Sequence, residues 1–127
     1  MKYSLIVLLS LAGCSSLTNE KFDNIEAARY VDIATVSAKM HNHCESFSAI
    51  TSTLPVLHHL STSALAYSSI KPNNENVIAA SKIVLGFTNE INTRYANAVP
   101  SLAYCKLKLM TIAESSITIA KSLAKKD

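Results

Sequence analysis

Four stretches of this chain place apolar or small residues at steps of three or four. They are Tyr30-Ile33-Ser37-Met40-Cys44-Phe47, Leu57-Leu60-Ala64-Tyr67, Val77-Ala80-Val84-Phe87-Ile91-Tyr95 and Leu102-Cys105-Leu109-Ile112-Ser116-Ile119-Leu123. Only an α-helix brings such positions onto one face, because its turn is 3.6 residues, whereas a strand needs strict alternation. No strand alternation of useful length and no internal repeat competes with this pattern. Glycine occurs twice and tryptophan not at all, while Ala, Ser, Ile and Leu abound, which is a helical composition. The expected fold is all-α: a small four-helix domain over residues 23–127, with short connections.

Local signals set the expected boundaries. Asp23 can accept from free amides at the start of the first helix, and Glu26 three residues on suggests a capping box. Where that helix stops is left open by the pattern, which allows it to continue to about residue 52. Pro55 then suits the first turn of a second helix capped by Thr53. Pro72 disfavours helical geometry at Lys71, and Asn73-Asn74 offers a turn and a cap. A third helix is expected over about 74–97. Gly86 sits inside it at a cost of up to ~1 kcal/mol against alanine, which close packing against a neighbouring helix would explain. Pro100 is expected to open a fourth helix ending near residue 125, where Lys121, Lys125 and Lys126 suit the negative end of the helix dipole.

The first residues have another logic. Lys2 precedes the short apolar run Leu5, Ile6, Val7, Leu8, Leu9 and Leu11, followed by Ala12, Gly13 and Cys14. That is the layout of a secretory signal peptide, too short to span a bilayer as a helix. Leu11-Ala12-Gly13-Cys14 resembles the lipobox of bacterial lipoproteins, in which small residues admit the signal peptidase and the cysteine thiol attacks a diacylglycerol donor. The resemblance implies that residues 1–13 are removed and that Cys14 becomes a lipidated N-terminus held in the bilayer by two or three acyl chains. With Ser15 and no aspartate after the cysteine, it implies the outer membrane, where the periplasmic side is expected over the cell surface. Residues 14–22 then form a polar tether of at most ~30 Å at ~3.5 Å per residue.

With Cys14 taken by lipid, two cysteines remain. In an exported chain, Cys44 and Cys105 are expected to form a disulfide. Closing a loop of about sixty residues would restrict the unfolded chain by ~4 kcal/mol on the chain-entropy view. Both cysteines fall on inward stripes, so the first and fourth helices should be neighbours.

Signals of chemistry are few. His41, His43, His58 and His59 are adjacent or two apart within their pairs, spacings that diverge on a helix, so a metal centre is not expected. Glu45, Glu75, Glu90 and Glu114 are scattered. No Gly-x-Ser-x-Gly elbow, glycine-rich phosphate loop or Cys-x-x-Cys occurs. A net charge of +3, one unit of it from Lys2, is too small to argue for nucleic acid. Neither a cofactor, nor a small-molecule substrate, nor an enzymatic activity is expected. Tyr67, Tyr95 and Tyr104, with Leu54, Val56, Leu65, Ile70, Leu107 and Met110, either fill one small core or leave an apolar groove for a partner. The residues alone do not decide between the two.

The lipobox-like start, the length, Cys44 near the end of the first helix and Cys105 in Cys105-Lys106-Leu107 together resemble the small pilotins of type II secretion, the PulS/OutS kind. That resemblance lies in layout; beyond the lipobox there is no contiguous motif. It implies a partner-binding lipoprotein that takes a C-terminal segment of a secretin subunit as a helix in a groove and carries the secretin to the outer membrane. The other expectation is a structural or exclusion-type surface lipoprotein.

Overall fold

The computed structural model describes residues 23–125. The proposed signal segment, Cys14, the tether and Lys126 lie outside the described residues. Four helices follow one another: α1 (Asn24–His41), α2 (Phe47–Ser69), α3 (Glu75–Asn97) and α4 (Leu102–Ala124). Each packs on its chain neighbours, and α1 also packs on α4, their pairing being the most extensive. The diagonal pairs make no close backbone approach. The result is a closed ring of four helices around one core.

Capping side chains start three of the helices. Asp23 Oδ1 accepts from the amides of Ile25 and Glu26 at 2.9 and 3.1 Å. Ser46 and Ser101 hydroxyls accept from Ala49 and Tyr104 amides, each at 3.1 Å. Each bond satisfies a donor that the helix itself cannot. Asn73 turns the chain between α2 and α3 with φ of 54°, a left-handed conformation that asparagine tolerates better than most residues.

The core is built from the inward stripes. Tyr30, Ile33, Ile50, Leu57, Ile91, Leu109, Ile112 and Leu123 have 1% or less of their surface exposed. At ~1.5–3 kcal/mol for each large apolar side chain, their burial is the principal stabilising term. Cys44 and Cys105 are both buried and form the disulfide, with Cα atoms 5.9 Å apart and 61 residues of separation. The bond joins the loop after α1 to the start of α4, as the inward stripes required.

Several expectations are corrected. The first helix does not run on past Cys44. It stops at His41, and α2 starts at Phe47 behind a Ser46 cap, so Thr53 caps nothing and Pro55 lies well inside α2. Proline in a helix interior costs about 3 kcal/mol. Ile50, Leu54 and Leu57 on the same helix are all at least 96% buried, and together they outweigh that cost. Hydroxyls also bond to carbonyls of the turn before the proline: Thr51 Oγ1 to Phe47, and Ser52 Oγ and Thr53 Oγ1 to Ala49. Phe47 is therefore a first-turn residue, 47% exposed, and not a member of the α1 stripe.

Gly86 was expected at a close helix contact, but a Cβ there would meet nothing within 4 Å. In α3 the fully buried positions include Ser81 and Thr88, while Ala80 and Phe87 sit half-buried beside them. Thr88 Oγ1 and Ser61 Oγ are 3.1 Å apart across the α2–α3 seam, so small hydrogen-bonded residues allow closer approach there than two apolar side chains would. Leu102, the first residue of α4, is 48% exposed, and Pro100 lies just outside the helix.

Candidate functional site

The expected surplus of apolar residues divides in two. Leu54 and Tyr95 enter the core; Val56, Ile70, Leu107 and Met110 do not, with exposures from 37% to 78%. Leu107 and Met110 lie three apart on α4, and Ile117 continues the same face one heptad after Met110. Across from that face run Ala34 and Ala38 of α1. Between the two helices lies an open groove of about 450 Å³, lined by Ala34, Thr35, Ala38, Ala113, Ile117 and Lys121 among others.

The floor of this groove is shallow because α1 and α4 meet through Ala34, Ser37, Ala113 and Ser116, all buried. Its rim offers little hydrogen bonding. Thr35 Oγ1 donates to Val31 O at 2.8 Å and Thr118 Oγ1 to Glu114 O at 2.9 Å, so neither hydroxyl has a proton left for an occupant. Glu114 and Lys121 supply one charge of each sign. Alanine flooring, apolar walls and a sparse polar rim suit the apolar face of another helix.

A second groove, about 590 Å³, lies between α3 and α4 beside Gly86. It is cationic and aromatic. The Arg94 guanidinium sits 3.9 Å from the centre of the Tyr104 ring, and Lys108 Nζ lies 5.0 Å from that of Phe87 while pairing with Glu90. These cations are held by rings and a carboxylate of their own chain. A third, smaller apolar groove of about 260 Å³ lies between α1 and α2 near Met40, Ala49 and Val56.

The residues that chemistry would need are dispersed. His43, His58 and His59 are exposed, and His41 is half-buried at the end of α1. Among the described residues, no three His, Cys, Asp or Glu side chains come together in a group that could hold a metal ion. Glu45, Glu75 and Glu114 are exposed, and Glu90 pairs with Lys108. Cys44 and Cys105 are bonded to each other and buried, a structural pair.

The feature that sequence reasoning missed is a polar cluster at the pole where α1 begins. Glu26 is fully buried. Its Oε2 accepts from Ser68 Oγ and Asn74 Nδ2, each at 2.7 Å, and Lys71 Nζ stands 3.5 Å from Oε1. Ser68 Oγ is also 2.7 Å from the Tyr30 hydroxyl. Beside it, Asp23 Oδ2 accepts from Lys71 Nζ at 2.6 Å and from the Tyr67 hydroxyl at 2.9 Å. The expected capping box is thus not what Glu26 makes: it faces inward, where α2 and the α2–α3 loop supply the donors.

Partial burial pushes the Asp23 carboxyl up, but hydrogen bonds from Lys71, the Glu26 amide and Tyr67, with the Lys71 charge, outweigh it and hold the carboxyl at about 2. Burial lowers the Lys71 ammonium, yet Asp23 and Glu26 raise it above its ordinary value. Burial, reinforced by the Asp23 carboxylate, raises the Tyr67 hydroxyl. The cluster ties the start of α1 to α2 and to the loop that opens α3. Its signal in the sequence is Asp23 and Glu26 near a helix start together with the polar loop around Lys71 and Asn74, but nothing local says that these meet.

Among the described residues, no helix is long and apolar enough to cross a membrane. In comparisons with known proteins, the chain matches no family model, no curated protein and no solved structure.

Proposed function

We propose that this chain is an acylated helical lipoprotein of the outer membrane, facing the periplasm, that binds a partner protein through the α1–α4 groove. Leu11-Ala12-Gly13-Cys14 supports the anchor, with Cys14 as the acylated residue. The observation that carries the binding role is the groove itself, with Ala34, Ala38 and Ala113 as its floor and Ile117 on its wall; further along α4, Leu107 and Met110 stay 69% and 37% exposed. Two apolar side chains held in water on adjacent turns forgo stabilisation that a partner helix would restore. Pilotin-like work is the sharpest form of the reading, with the C-terminal segment of a secretin subunit as the occupant.

The test is photocrosslinking in cells from position 38, an exposed residue of the groove lining, with position 58 on the far face of α2 as control. A defined partner captured from position 38 and not from position 58 is the expected result; equal capture from both overturns the groove. Metabolic labelling with a fatty-acid analogue, lost in Cys14→Ser, tests the anchor separately. If the partner is a secretin, deleting this chain shifts that secretin from outer- to inner-membrane fractions. Surface labelling of intact cells separates the reading from a surface exclusion lipoprotein, since a periplasmic chain stays unlabelled.

A further inference from the structure

The polar cluster fixes more than the start of α1. Asp23 and Lys71 are in contact at 2.6 Å. Ile25 follows Asp23 by two residues and Ile70 directly precedes Lys71. Both isoleucines therefore lie at one pole of the bundle. They are 58% and 78% exposed, and Ile70 is the most exposed large apolar side chain among the described residues. At the same pole, exposed Lys121 and Lys125 close α4, which runs antiparallel to α1, and exposed Glu75 opens α3.

We propose that this pole, through Ile25 and Ile70, rests on the phospholipid surface that holds the anchor. The inference rests on the proposed acylation of Cys14 and follows from length. Residues 14–22 join the domain at this pole and reach at most ~30 Å. Helices α2, α3 and α4 each have 23 residues, so the bundle is ~35 Å long at 1.5 Å per residue. The opposite pole also exposes apolar side chains, Val99 at 68% and Leu102 at 48%. To bring those to the membrane the molecule would have to stand inverted, with the tether spanning more than its full length. The anchored pole is the end that can touch lipid without strain. There Ile25 and Ile70 find an apolar surface, and Lys121 and Lys125 find phosphate headgroups.

The chain has no tryptophan, so a single introduced one reports its own surroundings. Ile70→Trp, with Val99→Trp and Leu107→Trp as controls for the opposite pole and the flank, is made in residues 14–127, expressed without the signal segment so that the Cys14 thiol stays free. With Cys44 and Cys105 bonded to each other, Cys14 is the only free thiol, and it is coupled to a maleimide lipid in phosphatidylethanolamine–phosphatidylglycerol vesicles carrying brominated acyl chains. Because the coupling is chemical, the result stands whether or not cells acylate Cys14, which the labelling experiment decides. The tryptophan at 70 is expected to shift its emission to shorter wavelength and lose most of it to the bromines, while those at 99 and 107 keep the emission of a water-exposed indole. An unquenched tryptophan at 70, or equal quenching at all three positions, overturns the proposal. A disulfide still intact on a non-reducing gel and unchanged helical circular dichroism confirm that each variant is folded.

Discussion

Asp23 and Glu26 are both carboxylates within one turn of the start of α1, yet the fold treats them differently. Asp23 stays 19% exposed on its side chain and takes the shorter ion pair with Lys71, while Glu26 is sealed away, its Oε2 accepting from Ser68 and Asn74 and its Oε1 left with only the Lys71 ammonium 3.5 Å away. The Asp23 carboxyl is held at about 2 in the folded chain against an ordinary value of 3.8. A depressed carboxyl stabilises the fold above the unfolded value, and that contribution is lost as the pH falls through the folded one. The expected loss is up to ~2 kcal/mol between about pH 4 and pH 2. Asp23→Asn keeps a good capping residue, so it should cost ~1–2 kcal/mol at pH 7 and remove that part of the acid slope. Urea titrations of both proteins from pH 2 to pH 7 check it; parallel curves would refute the assignment. Lys71 works in the opposite sense: its raised ammonium contributes below its ordinary value of 10.5 and loses that contribution as the pH rises beyond the raised one.

At the scale of elements, two residues that punctuate helices in a sequence do not do so here. Pro55 is carried through α2 because Ile50, Leu54 and Leu57 are buried on either side of it, a gain that belongs to tertiary packing and outweighs the lost backbone bond. Gly86 has no packing reason for its place: open space surrounds its missing Cβ, and its φ is not positive. Gly86→Ala is therefore expected to raise stability by about 0.8–1 kcal/mol, the intrinsic helix preference of alanine, read as a higher melting temperature. An unchanged or lower melting temperature would mean that the α3–α4 groove needs the opening. The disulfide acts between elements. Cys105→Ala should destabilise by ~4 kcal/mol, on the view that a loop of 61 residues is released in the unfolded chain. Denaturant unfolding of Cys105→Ala and of the reduced parent should give the same midpoint, because both lose the same cross-link.

For the whole molecule, the ring of four helices decides which apolar residues are core and which are surface. Helix by helix, Leu107 and Met110 resemble Leu109 and Ile112, since each pair lies three apart on α4. Only the position of α4 between α1 and α3 turns the second pair inward and leaves the first in water. If the α1–α4 groove receives a partner helix, Ala38→Arg, at an exposed position of the groove lining, should leave the fold's stability within ~0.5 kcal/mol, as for other exposed substitutions. It should also abolish capture of the partner by affinity pull-down from a strain expressing the tagged chain. Retained capture would move the binding surface elsewhere on the molecule.

The number of helices, their inward faces and the Cys44–Cys105 staple were legible in the sequence. They depend on a period of 3.6 residues and on two cysteines left to pair, both of which are local or countable properties. The second and third helices were placed to within a few residues at their shared loop, where Pro72 and the asparagines act through short-range sterics. Where α1 ends and α2 begins was not legible, because burial of Ile50 and Leu54 against other helices overrides the proline signal at Pro55. The polar cluster of Glu26 was hidden for the same reason: its partners, Ser68 and Asn74, stand more than forty residues away. The α1–α4 groove was equally hidden, since whether an apolar side chain is core or surface depends on what the rest of the chain places over it.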